Sequence, residues 1–145
     1  MNRETITAAL WTRISGISGV RTAERRLRHF SEVSPSEMPA IFLGVDNATA
    51  NQERGRKASW DLKFSVYVYC HEAAAIGPSS ALNTIVDAID AALQITSAEF
   101  KPGQTFGPTT LGGLVSHAWM TTVETDEGSL GDLGVAVCSI EVLAT

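Results

Sequence analysis

The chain has 145 residues, 44% of them hydrophobic and 19% charged, with a formal net charge of −5. That is enough for one hydrophobic core, and too balanced a composition for disorder throughout. The most apolar windows, such as residues 40–45, are far too short to cross a bilayer, and Arg3 and Glu4 precede a helical pattern where a secretory signal would carry an apolar run. The expectation is a chain that folds in a reducing cytoplasm.

Ile6, Leu10 and Ile14 recur at helical spacing and Ile17 extends the stripe, so residues 4–15 are expected to form a helix that Gly16 and Gly19 stop. Residues 20–28 are short and rich in arginine. They read as an edge strand or extended segment with Arg21, Arg25, Arg26 and Arg28 in solvent. Pro35 and Pro39, among serines and glutamates, make 31–39 a loop. The apolar run 40–45 should be a buried strand. Residues 46–58 are polar, with Asn47, Asn51, Gln52, Arg54, Arg56 and Lys57, and read as a mobile loop or a long hairpin arm. The glycosylation pattern Asn47-Ala48-Thr49 marks only a polar loop in a chain without a secretory route.

The clearest periodicity follows. Trp60, Leu62, Phe64, Val66, Val68 and Cys70 alternate with Asp61, Lys63, Ser65, Tyr67 and Tyr69, which predicts a half-buried strand whose even face meets the core. Gly77-Pro78-Ser79-Ser80 turns the chain into a second helix with a serine as its cap. Leu82, Ile85, Val86, Ile89 and Leu93 form the buried stripe of that helix, with Asp87 and Asp90 off it. Residues 96–110, with Pro102, Gly103, Gly107 and Pro108, read as a second long loop. Residues 114–125 and 133–143 are expected to be strands of a hairpin turned by Asp126-Glu127-Gly128-Ser129 and Gly131. The order predicts one α+β domain over 1–145, with long loops at about 46–58 and 96–110, and a mostly antiparallel sheet of about five strands carrying two helices packed on one face.

Chemistry is thinly represented. Cys70 and Cys138 each lie in an apolar strand pattern, where a free thiol acts as a small hydrophobe. His29, His71 and His117 have no second ligand type at zinc spacing, and Cys70 and His71, as strand neighbours, point to opposite faces. A Cys–His nucleophile pair would require one of these histidines to meet a thiol in space, and no activating motif surrounds either cysteine. The acids Glu124, Asp126, Glu127 and Asp132 depart from the calcium-loop spacing and read as a solvated hairpin tip. No phosphate-binding glycine motif is present. Arg54, Arg56 and Lys57 lack interleaved aromatics, which leaves either a solvated tip or non-specific phosphate contact along DNA in a channel. The expectation is a chain that is not an enzyme, with no catalytic, cofactor or metal residue.

Charge is unevenly spread. Residues 1–30 hold six arginines and two glutamates, whereas residues 87–145 hold one lysine and eight acids. A basic beginning and an acidic end suggest surfaces of opposite sign and self-association.

Several short runs, taken together and in order, resemble tailed-bacteriophage tail terminator (tail completion) proteins. They are Arg26-Leu27-Arg28-His29-Phe30, Met38-Pro39-Ala40-Ile41-Phe42-Leu43, Trp60-Asp61-Leu62, Tyr67-Val68-Tyr69 and residues 82–89, followed by residues 110–119 and 124–132. The resemblance spans nearly the whole chain and implies a structural virion protein, assembled in the host cytoplasm and located at the head-proximal end of the tail. Such a protein forms a homo-oligomeric, hexameric ring that caps the tail-tube protein, stops its polymerisation and presents a joining surface to the head–tail connector protein. A ring is a heterologous assembly, in which unlike faces meet. We therefore expect Arg21, Arg25, Arg26 and Arg28 to face Glu124, Asp126, Glu127 and Asp132 of a neighbouring copy. Arg54, Arg56 and Lys57 are expected to reach the lumen or a neighbouring ring. The alternatives are a stopper or adaptor of the connector itself, and a small ligand-binding or enzymatic domain using the face of Tyr67, Tyr69 and His71, which would need a deep pocket.

Overall fold

The computed structural model describes residues 1–74, 77–127 and 131–145. Helix α1 spans Arg3–Ser15, capped by the Asn2 side chain, which accepts the Thr5 N–H at 3.0 Å. Strands β1 (Thr22–Glu24), β2 (Ala40–Asn51) and β3 (Ser59–His71) precede helix α2 (Ser79–Ala92), and β4 (His117–Asp126) and β5 (Leu133–Ala144) follow it. The strands form one sheet in the order β1-β2-β3-β5-β4. β1 lies parallel to β2 and every other pair is antiparallel. The architecture is α+β, as the sequence predicts.

Both helices cover one face. Ile6, Leu10 and Ile14 of α1, with Leu82, Ile85 and Ile89 of α2, pack on the even residues of β3 and β5 in a single core. Each such fully buried aliphatic side chain contributes about 1.5–3 kcal/mol of transfer free energy. Gly134 lets α2 approach β5 closely, since a Cβ there would lie 2.7 Å from Leu82 Cδ1 and Pro78 Cβ. The opposite face is covered in part by the segment after β1. Phe30, Val33 and Met38 pack on Ala40, Phe42 and Tyr69, and the Tyr69 hydroxyl donates to the Arg28 carbonyl at 2.7 Å.

Several elements differ from the sequence expectation. Of the two forms expected for residues 46–58, the hairpin arm is the one present, and the loop is confined to its tip: β2 runs on to Asn51, and Asn47-Ala48-Thr49 sits in a strand rather than in a loop. A bulge permits this, because Asp46 is an extra residue between the Val45 and Asn47 pairings. The Asp46 carboxylate accepts the Ser65 hydroxyl at 2.6 Å. A matching bulge interrupts β4 between Met120 and Thr122. Val45, Phe64, Ile140 and Met120 share one row, so both flanks of the sheet bend at one level. The expected serine cap is absent. Pro78 occupies the cap position of α2 and Ser79 is already helical. The loop expected over 31–39 is shaped by two short 3-10 turns, Phe30–Glu32, which begins one residue before it, and Pro35–Glu37. Of the turn expected between β4 and β5, Gly128 and Ser129 lie outside the described residues.

Candidate assembly surfaces

The arginine segment is less solvated than the sequence suggests. Arg28 is half-buried, donates to the Glu32 carbonyl at 2.8 Å and to Glu37 at 3.2 Å, and stacks 5.7 Å from the Phe42 ring centroid. The Ser34 N–H, followed by Arg28, holds the Glu37 carboxyl below its ordinary range. Arg25 grips Glu4 with both guanidinium nitrogens, at 2.7 and 3.2 Å, and this hydrogen bonding depresses the Glu4 pKa. Arg21 reaches the Ser36 carbonyl at 3.3 Å. Arg26 is exposed, and among the described residues it makes no ion pair. Of the four arginines expected in solvent, Arg21, Arg25 and Arg26 are exposed and Arg28 is instead half-buried and absorbed into the fold; Arg25 is tied to α1 by its pair with Glu4. The acids that claim Arg28, Glu24 and Glu37, lie 4 and 9 residues away in the chain, within reach of its long side chain.

Glu124, Asp126, Glu127 and Asp132 are all exposed around the end of the β4–β5 hairpin. The sheet register relates them to the arginine segment. Thr22, Ala40, Tyr69, Val135 and Asp126 lie in one row, and Glu24, Phe42, Tyr67, Val137 and Glu124 in another two residues along. β1 and the acidic end of β4 thus stand at the same height on opposite edges, separated within the chain by the full width of the sheet.

Arg54, Arg56 and Lys57 are exposed at the tip of the β2–β3 arm, at the other end of the sheet. Arg56 pairs with Glu53 at 3.1 Å, and the Gln52 amide donates to the Arg56 carbonyl at 2.8 Å.

An ion pair built on a buried carboxylate is the feature that sequence reasoning missed. The Glu99 side chain is 4% exposed and is gripped by Arg13 of α1. It accepts the Thr110 N–H at 2.7 Å and the Thr109 hydroxyl at 2.9 Å. Burial works to raise its pKa, but these hydrogen bonds and the arginine outweigh it and bring the value to about 2. Arg13 also donates to the carbonyls of Ala92 and Gln94. The pair therefore ties the end of α1, the end of α2 and the 96–110 segment together.

The thiols suit structural roles. Cys70 and Cys138 are free and buried, and burial pushes their pKa values up to about 11 and 12, so neither is a thiolate at neutral pH. Tyr69 is buried beneath the segment that follows β1, with Tyr67 half-buried beside it, while His71 is exposed. No cluster of metal-ligating side chains occurs among the described residues, and no helix among them is long and apolar enough to cross a membrane.

No protein-family model matches the sequence, and no curated protein matches it either. Solved structures do. A chain from the virion of a native gene transfer agent (GTA) particle superposes with a TM-score of 0.62, covering 95% of this chain and 92% of that one at 11% identity. At that identity the likeness shows a shared fold.

Proposed function

We propose that the protein is a structural virion component, a ring subunit that caps a phage-type tail tube, ends its polymerisation and offers the joining surface to the head-side connector. The likeness in fold to a chain of a virion particle, over nearly the full length of both chains, is the observation that carries this reading. The placement of charge agrees with it. Rotating one copy about an axis roughly parallel to the strands brings the acidic end of its β4 level with β1 of the next copy, where Arg26 is free to meet it. A contact between unlike edges is heterologous and closes into a ring when the rotation permits. Opposite charge sets the register and speeds encounter. Level alignment also brings Glu24 opposite the neighbour's Glu124; Arg28, 3.7 Å from Glu24, and the adjacent Arg26 offset that repulsion. Arg54, Arg56 and Lys57, at the other end of the sheet, face the lumen or a neighbouring ring in this reading.

Co-purification with tail-tube protein from lysates lacking heads tests the assignment. A terminator is retained by tubes alone, whereas a connector component is retained only when heads are present. The Arg26→Glu variant should lose the ring without losing its fold, and Glu124→Arg in the same chain should partly restore it. Rings that form normally from the Arg26→Glu variant would remove Arg26 from the interface.

A further inference from the structure

The outer edge of β4 carries backbone hydrogen-bonding groups as well as charge. Ala118 donates its N–H outward to the Thr109 carbonyl at 2.8 Å, so the first residues of β4 are covered by the preceding segment. Beyond the bulge, residues Thr121–Asp126 are all exposed, and among the described residues no strand lies outside them. The pairing of Val123 with Cys138 and Thr125 with Ala136 continues the set to which Ala118 and Val142 belong, so the N–H groups of Val123 and Thr125 also point outward. On the far edge, β1 is the outermost strand and covers only Ala40–Phe42 of β2. Unpaired edges of this kind are templates for strand addition.

Resting on the ring reading above, we infer that β4 of one copy adds to β1 of the next as an antiparallel pair, so that the sheet runs unbroken through the assembly. Chain direction permits this. β2, β3, β5 and β4 alternate in direction, β1 runs with β2, and β4 therefore runs against β1. Copies repeated side by side in the same sense meet in antiparallel register at every junction.

Charge favours this junction over the pairing of two β4 edges. Two β4 edges face to face would set the exposed Glu124 and Asp126 against acids of the other copy, with no lysine or arginine on that strand to offset them. The mixed pair brings the exposed Arg26 near Glu124, with Arg28 beside Glu24, so charge favours the head-to-tail contact over a two-fold β4 dimer. The bulge in β4 adds local twist at the start of the free edge, where the neighbouring sheet must turn away to follow a closed ring.

The test uses the intact chain with Ala23→Cys and Thr125→Cys introduced together, and a second version with Val123→Cys in place of Thr125→Cys to allow a shifted register. The native thiols are buried, so oxidation reads the introduced pair. Strand addition predicts a ladder of disulfide-linked chains up to the closed ring. The Thr125→Pro variant, which removes an outward N–H and spares the β5 ladder, should raise the concentration needed for assembly about tenfold at unchanged circular dichroism. Rings visible on tubes with neither cysteine pair linking would overturn strand addition and leave the ring reading standing. Failure of the parent chain to form rings, alone or on tubes, would overturn both.

Discussion

The two long connecting segments, 46–58 and 96–110, are both polar and contain glycine, yet the fold holds them in opposite ways. The first extends as a two-stranded arm whose tip is fastened by an exposed ion pair, Arg56 to Glu53. The second wraps around one buried carboxylate, Glu99, with Arg13, Thr109 and Thr110 closing on it. A pair in water gains little net free energy, because solvent screens it and both side chains lose freedom. A buried pair with its hydrogen bonds satisfied is costly to break, because each partner alone is an uncompensated charge. The 96–110 segment is thus part of the body of the molecule. The arm tip is available to touch something else.

Breaking the buried anchor should have the largest effect. Glu99→Ala leaves Arg13 without its carboxylate and should lower stability by about 3–5 kcal/mol, read by denaturant titration. The same group gives a pH signature. Its folded value of about 2 lies below the ordinary 4.5, so its contribution is complete above about 4.5 and is lost as the pH falls toward 2. Acid unfolding of the parent should be steeper in that window than that of Glu99→Gln. Thr109→Val comes next: the residue is fully buried and its hydroxyl both serves Glu99 and accepts the Leu111 N–H at 3.0 Å, so the loss should be about 1–3 kcal/mol. The arm should respond least. Neutralising Arg54, Arg56 and Lys57 together should move the unfolding midpoint by no more than about 0.5 kcal/mol. In the proposed role it should nevertheless reduce genome ejection or infectivity. Unchanged particles would make the arm a passive surface and leave the contrast one of stability alone.

Much of this was legible in the sequence, for identifiable reasons. The alternation from Trp60 to Cys70 and the stripes Ile6-Leu10-Ile14 and Leu82-Ile85-Ile89 report burial directly, so the central strand and both helices could be read from period alone. The length of β2 was harder to read, because the bulge at Asp46 shifts the alternation and its outer half is exposed on both faces, with no large apolar residue to mark a strand. Glu99 gave no local sign of burial, since its partners Arg13 and Thr110 are 86 and 11 residues away. The charge asymmetry between the two ends of the chain was visible, and the register sets those ends level on opposite edges. That Arg28 is drawn into the fold and Arg25 is paired was not visible. That depends on Glu4 and Glu37 meeting Arg25 and Arg28 in the folded chain.

The central claim is that copies of this chain close into a ring on the end of a tail tube. Negative-stain imaging of tail tubes polymerised without heads, with and without the purified protein, tests it most directly. The account predicts a ring at one end of each tube and an arrest of further growth. Tubes that keep growing with bare ends in saturating protein would contradict it.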